Sequence, residues 1–235
     1  KYEFWFNYLT ELKKQNIPFY SASTIFRKEQ FFFKYKWFAK QLNNVSHFFV
    51  QDKNSKELLQ NIGFSNCTIA GDTRFDSVIA NTKNAISIPL IEEFSKNKTT
   101  IICGSTWPKD EVILIQYIKD HPENNYIIAP HELQHISALQ KQTNALLFSE
   151  SHNTDISNSN VLIIDSIGIL SNIYQYANIA YIGGGFGAGI HNVLEAVAFG
   201  LPVIFGPNYQ KFNEAKELIN QKGAISISNY TQLTT

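Results

Sequence analysis

With 235 residues the chain has material for two domains of ordinary size or one large one. Its 20 basic and 20 acidic side chains cancel, which excludes the strongly basic field of a nucleic-acid binder. The sequence is 44% hydrophobic, enough for real cores, yet no apolar run approaches the roughly 18 residues that cross a membrane.

Residues 1–15 read as an amphipathic helix, with Phe4, Tyr8, Leu9 and Leu12 on one face. Glu3 lies near its start, where a negative charge suits the helix dipole. Pro18 ends that segment, and residues 19–24 read as a strand. Residues 27–42 interleave Phe31, Phe32, Phe33, Tyr35, Trp37 and Phe38 with Lys28, Lys34, Lys36 and Lys40. A helix of this composition is either core plus a solvated face, or a surface resting on anionic lipid. A strand at 47–50, a helix at 52–62 closed by Gly63, and a strand at 67–70 follow. That last strand runs into Gly71, Asp72, Thr73 and Arg74. A cation at the carboxyl end of a parallel strand sits where α/β folds place ligands. An ion pair of Arg74 with Asp72 or Asp76 explains it equally well.

Residues 81–87 are polar and patternless, and Pro89 follows, so a domain boundary is expected near 85, giving domains of 1–85 and 86–235. A strand at 99–103 ends in Gly104, Ser105, Thr106 and Trp107, and a helix at 108–119 follows. The strand at 126–129 ends in Pro130, His131 and Glu132, with a helix to about 142 and a strand at 146–148. After a polar loop at 149–159, a strand at 161–164 ends in Asp165 and Ser166, and a helix spans 167–176. Then comes IAYIGGGFGAGIHNVLEAVAFGLPVIFG, residues 179–206. It reads as strand, glycine loop, helix closed by Gly200, and second strand, which is one βαβ unit. A helix at 211–221 and a strand at 224–227 complete the alternation. Such alternation predicts parallel sheets with helices on both faces. Ser105, Thr106, His131, Asp165, Ser166 and the glycine loop would then line one edge of one sheet, facing a cleft between domains. Cys67 and Cys103 each sit in a strand-like run and read as buried free thiols of a reducing compartment. The chain starts at Lys1 and has no methionine, so it reads as a piece of a longer protein.

Glycines let the backbone turn sharply and approach a ligand, and a helix start offers amides to an anion. They serve equally in a tight βα turn that binds nothing. Asn192 and Glu195, three apart in the first helical turn, share a face, and His191 stands at the helix start. An anion site beside an amide and a carboxylate suggests a nucleotide, with Glu195 taking ribose hydroxyls. No Walker motif, nucleophile elbow or dinucleotide fingerprint is present. His131 and His135 lie one helical turn apart without a third metal ligand. A two-domain nucleotide-sugar glycosyltransferase of the GT-B type fits this pattern, and a nucleotide-sugar epimerase shares its architecture.

The segment GGGFGAGIHNVLEAVAFGLPVIFGPNYQKFNEAKELI resembles the C-terminal signature of the bacterial 3-deoxy-D-manno-octulosonic acid (Kdo) transferase family. The likeness continues upstream in family order through KYEFW, HFFVQDKNSKELL, IAGDTRFD, CGSTW, APHE and IIDSIGIL. It implies an α/β, GT-B-like chain of two Rossmann-like parallel-sheet domains facing a cleft. Residues 1–85 would be part of an N-terminal acceptor-side domain and 86–235 the donor-binding domain. It further implies transfer of Kdo from CMP-Kdo to a lipid A precursor in lipopolysaccharide biosynthesis. The reaction would invert the anomeric centre without metal or cofactor, in peripheral contact with the cytoplasmic face of the inner membrane. By the same resemblance, Glu3 and Arg74 match functional positions of the first domain. Ser105 and Thr106 match a hydroxyl pair, and His131 matches half of an arginine–histidine pair. Gly184 and Gly185 match the phosphate loop, with His191 beside it, and Asn192 and Glu195 match the CMP contacts. The family's catalytic glutamate base has no matching segment, so the N-terminal domain is expected to be incomplete and this stretch alone inactive. Two further readings are a UDP-sugar 2-epimerase or other GT-B enzyme, including a lipid-disaccharide synthase, and a non-catalytic nucleotide-binding domain.

Overall fold

The computed structural model describes residues 4–153 and 155–234. The chain divides into two compact units, Lys1–Asp76 and Ser77–Thr235. Both are α/β with parallel sheets. Among the described residues no helix is long and apolar enough to cross a membrane.

The first unit holds β1 (Tyr20–Thr24), β2 (His47–Val50) and β3 (Cys67–Ile69), paired in that order. Phe26, Leu42, Val45, Phe48, Val50, Leu59 and Cys67 form its core. The helix Lys53–Asn61 begins where Asp52 Oδ1 accepts the Ser55 amide at 2.7 Å, and Gly63 follows at φ 96°. The first helix, Phe6–Lys14, is shorter than the expected 1–15, and Trp5 is extended at its cap. The single helix expected at 27–42 is not formed. Two short helices, Phe31–Lys34 and Lys36–Ala39, and a 3₁₀ turn, Lys40–Asn44, replace it, with Tyr35 extended between them. The break turns two apolar sets toward one core. Phe32 and Phe33 pack edge-on against Phe26, while Leu42 is fully buried. One straight helix of this sequence would carry those side chains on different faces.

The second unit contains seven parallel strands. They are β4 (Thr100–Thr106), β5 (Asn125–Pro130), β6 (Leu146–Leu147), β7 (Val161–Ile163), β8 (Ile179–Ile182), β9 (Val203–Phe205) and β10 (Ala224–Ser226). Their order across the sheet is β10-β9-β8-β4-β5-β7-β6. From β4 the chain builds one side of the sheet, with β7 returning between β5 and the edge strand β6, and from β8 it builds the other. β4 and β8 therefore flank the topological switch point, where doubly wound sheets open a crevice at the carboxyl ends of their strands. Apolar layers cover both sheet faces, one around Ile102, Ile127, Ile182 and Phe205, the other around Cys103, Ile128, Ile163 and Tyr181. Continuous apolar strands such as IAYI are what a sheet buried on both faces requires.

Two helices, Arg74–Lys83 and Pro89–Phe94, lie where the sequence offered no periodic pattern, so residues 81–83 are helical. The first of them buries a single residue, Val78. The expected helix at 167–176 is reduced to Leu170–Ile173 and a 3₁₀ turn, and Gly168 at φ 99° lies outside helical backbone. Where the sequence predicts a helix over 191–199, the structure has only Leu194–Val197. The His191 amide is held by Gly183 O, and the Asn192 side chain accepts the Leu194 amide at 3.2 Å. Helical bonding thus starts three residues late, and Gly200 at φ 76° closes it.

The carboxyl ends of β4 and β8 touch through backbone. A Cβ placed on Gly183 would come within 3.0 Å of the Ser105 carbonyl and the Thr106 backbone. Gly183→Ala is therefore expected to destabilise the second unit by about 1–3 kcal/mol, the usual cost of overpacking. A thermal melt should fall by at least about 3 °C, and an unchanged melting temperature would contradict the contact.

Candidate functional site

The site is built at the switch between β4 and β8. At the end of β4 the register slips between Gly104 and Thr106, and Ser105 takes the left-handed conformation at φ 53°. Such a conformation costs about 1–3 kcal/mol in a non-glycine residue and is held only by its surroundings. Here the Ser105 carbonyl is seated where Gly183 leaves room. The Ser105 hydroxyl has no hydrogen-bond partner among the described residues, and Ser105 is partly exposed. Thr106 differs: it is fully buried and donates to Glu111 Oε1 at 2.8 Å, so its hydroxyl is engaged inside the protein.

The loop after β8 turns at Gly184, φ 89°. Gly183, Gly184 and Gly185 are all buried. The Gly184 amide donates to Asp110 Oδ2 at 2.9 Å, and the Gly184 carbonyl accepts from Gly187 and Gly189. The amides of Gly185 and Phe186 find no acceptor among the described residues. The Gly184 amide is thus committed inside the protein, while those of Gly185 and Phe186 are not.

Beside the loop, three rings pack together. Trp107 and His131 stack at 4.7 Å, and His131 lies 4.4 Å from His191. The Trp107 indole N–H donates to His191 Nε2 at 2.9 Å. That bond leaves His191 Nε2 unprotonated and puts the ring hydrogen on Nδ1. Burial first, then the neighbouring His131, hold the His191 imidazolium below the ordinary histidine value of 6.5, with Asp110 opposing. His191 is thus a neutral Nδ1–H donor beside the glycine loop.

Asn192 Nδ2 donates to Glu195 Oε1 at 3.0 Å while its Oδ1 takes the Leu194 amide. The shared face expected for Asn192 and Glu195 is present, although Asn192 precedes the helix. The Asn192 side chain is spent on orienting the carboxylate. Glu195 charge reaches Tyr174, whose phenol is raised by burial first and by Glu195 second. The Tyr174 hydroxyl fills the space beside Gly104, at the β4 end of the site.

The structure therefore brings Ser105, His131, Gly184, Gly185 and His191 into one cluster, with Asn192 and Glu195 following directly. Arg74 belongs to the first unit. Its Nε and Nη2 reach Asp72 Oδ2 at 2.8 and 2.6 Å, the ion pair that the sequence left open. Burial would raise the Asp72 carboxyl, but the hydrogen bonds and charge of Arg74 outweigh it and hold it low. The Ser23 hydroxyl also donates toward Asp72, and Gln51 Nε2 donates to the Ser23 carbonyl and hydroxyl. Glu3 lies outside the described residues.

Residues 1–77 match the family described as 3-deoxy-D-manno-octulosonic-acid transferase (kdotransferase). The transferase of that name from Rickettsia bellii is 30% identical over 98% of this chain and 58% of its own length. The chain is similar to the Kdo transferase family along nearly its whole length. Its Rickettsia felis and Aquifex aeolicus relatives are 29% and 30% identical over 85% and 57% of the chain, and 45% and 40% of their own lengths. The chain thus spans about half the length of these relatives. Among solved structures, the C-terminal CMP-Kdo binding domain of WaaA from Acinetobacter baumannii matches with a TM-score of 0.54. It is 19% identical and covers 68% of this chain and 86% of that domain. A UDP-GlcNAc 2-epimerase from Neisseria meningitidis bound to UDP-GlcNAc matches with a TM-score of 0.64 and 16% identity over 97% of this chain and 61% of its own. Both are likenesses of fold.

Sequence reasoning missed the groups beneath the site. Asp110, fully buried, accepts the amides of Trp107 and Gly184 and the Tyr181 hydroxyl, each at 2.9 Å. Glu111, 4% exposed, accepts from Thr106 and lies 3.0 Å from His135 Nε2. In the sequence these are two acids in a first helical turn, a pattern that the dipole alone explains. His135, noted only as half of an absent metal motif, has its role in the Glu111 pair.

The depressed His191 sets a direction for pH dependence. The unfolded chain binds that proton more readily, so the contribution is intact above about pH 6.5 and is lost as pH falls from there toward the folded value. An NMR titration of the histidine ring protons should give His191 a midpoint below 6.5. A midpoint at or above that value would contradict the neutral, Trp107-bonded ring.

Proposed function

We propose that this chain serves the transfer of Kdo from CMP-Kdo to a lipid A precursor in lipopolysaccharide biosynthesis. The second unit would hold the donor and the first would contribute to the acceptor side. The observation that carries the reading is the cluster of uncommitted donors at the β4–β8 switch: the Gly185 and Phe186 amides, the Ser105 hydroxyl and His191 Nδ1–H. They suit the phosphate of a nucleoside monophosphate. Glu195, held by Asn192, is an acceptor suited to ribose hydroxyls. CMP as the nucleotide is supported by the likeness to the WaaA domain, and Kdo as the sugar by the family.

In this reaction the bond between the anomeric carbon and the phosphate oxygen breaks as the acceptor hydroxyl oxygen bonds to that carbon from the opposite face; CMP leaves and a general base takes the hydroxyl proton. Negative charge grows on the departing phosphate. Amides and a neutral imidazole N–H already aimed at that position lower its energy without reorganising, which is how such sites accelerate bond cleavage. On this reading those donors take the part that a metal plays in other transferases. The UDP-GlcNAc 2-epimerases, matching over nearly the whole chain, support the second reading, a UDP-sugar enzyme.

Calorimetric titration separates the two. CMP should bind the chain more tightly than UDP. Asn192→Ala and Glu195→Ala should each weaken CMP by about tenfold, the loss of one charged or charge-orienting hydrogen bond. Preference for UDP would favour the epimerase reading, and unchanged CMP affinity in both variants would remove the assigned contacts.

Contact with the cytoplasmic face of the inner membrane is part of the same proposal. In the first unit Phe31, Tyr35 and Trp37 are 60%, 56% and 59% exposed. Lys34, Lys36 and Lys40 are exposed among them and have no ion-pair partner among the described residues. On a chain of zero net charge this local excess of cations and rings fits an anionic lipid surface. The chain should sediment with phosphatidylglycerol vesicles and not with phosphatidylcholine vesicles. Replacing the three lysines by glutamine should weaken that binding by roughly a hundredfold, at about 1 kcal/mol per charge. Equal sedimentation with both lipids would count against it.

A further inference from the structure

We infer that Asp110 is the positioning residue of this site: its buried carboxylate fixes the glycine loop and thereby selects which amides meet the donor phosphate. The inference rests on reading the β4–β8 edge as a nucleotide-sugar site.

Asp110 is fully buried, and every bond it makes reaches a part of the site's frame. Oδ2 accepts two amides at once, Trp107 N–H at the end of β4 and Gly184 N–H in the loop after β8, both at 2.9 Å. Oδ1 accepts the hydroxyl of Tyr181, inside β8, also at 2.9 Å. Burial, then the Asp110 charge, push the Tyr181 phenol far up, so it remains a donor at neutral pH. One carboxylate thus pins two neighbouring strand ends at the switch point. It occupies the loop from beneath as an anion would, inside a concavity of backbone N–H groups.

Two consequences follow for a ligand. The Gly184 amide is already satisfied, so a phosphate oxygen is met by loop amides without an acceptor among the described residues, Gly185 and Phe186 first among them in the chain. The loop amides are also aimed before a ligand arrives, because Gly184 cannot rotate without breaking a charged hydrogen bond in a buried setting. Trp107 is set by the same oxygen, and Trp107 in turn sets the His191 tautomer. Removing Asp110 should disturb both donor groups together.

Asparagine is a near-isosteric replacement. Its Oδ1 can accept both amides, and its Nδ2 can donate to the Tyr181 oxygen. Glutamate keeps the charge but moves the carboxylate by one methylene. In calorimetric titrations of CMP into the whole chain, Asp110→Asn should stay within about threefold of wild type, while Asp110→Ala and Asp110→Glu should weaken binding by at least about tenfold. Melting temperatures of the same samples show that each variant is folded. Hydrogen exchange on the wild-type chain gives a second measurement that needs no variant: the Gly184 amide should exchange slowly and the Gly185 amide fast without CMP. A folded Asp110→Ala or Asp110→Glu chain with wild-type CMP affinity overturns the inference, as does fast exchange at Gly184. If those variants bind normally while Asn192→Ala loses CMP, the donor site stands and only the role of Asp110 falls. If wild type binds no CMP, both fall.

Discussion

The second unit depends on one close approach, that of β4 and β8 at their carboxyl ends. Two parallel strands that diverge in connection leave a crevice there, and the chain must bring backbone to backbone without side chains in the way. Gly183 permits the contact and Ser105 accepts a left-handed conformation to make it. Asp110 secures it by joining both strand ends through one buried carboxylate. Each element around the site takes its position from this junction. The glycine loop turns above it, Trp107 starts its helix from it, and His191 is reached through Trp107.

Much of this was legible in the sequence. The apolar runs at Ile101, Ile127 and Ile182 marked strands buried on both faces, and their alternation with helices predicted the parallel sheet. The glycines after Ile182 and the polar residues at the ends of β4 and β5 pointed to one edge, where the structure gathers them. The boundaries were less legible. HNVLEAVAF has good helix formers, but whether Asn192 joins the helix or caps it is decided by the glycine loop that holds His191. At 27–42 the pattern of rings did not reveal that the helix breaks at Tyr35, because the core that needs Phe32, Phe33 and Leu42 together is assembled from distant strands.

The buried acids were not legible at all, for a physical reason. Asp110 and Gly184 are 74 residues apart, and nothing in the local sequence around Asp110 distinguishes a hub from an ordinary helix-start charge. Thr106 shows the converse. As a strand-end hydroxyl it looked like a ligand group, yet Glu111 claims it inside the protein, while neighbouring Ser105 keeps its hydroxyl uncommitted. Arg74 was open between two explanations, and the donation of its Nε and Nη2 to one oxygen of Asp72 gives the ion pair its geometry without removing its exposed half.

The Trp107 indole also gives the molecule an optical reporter. Of the chain's three tryptophans, Trp5 and Trp37 are more than half exposed, whereas Trp107 is partly shielded, stacked on one imidazole and bonded to another. Its emission is therefore sensitive to whatever displaces His131, and a charged His191 ring, unable to accept the indole proton, would quench it. Occupancy of the crevice can be followed by fluorescence without attaching a dye, over the emission of two largely solvent-facing indoles of the first unit.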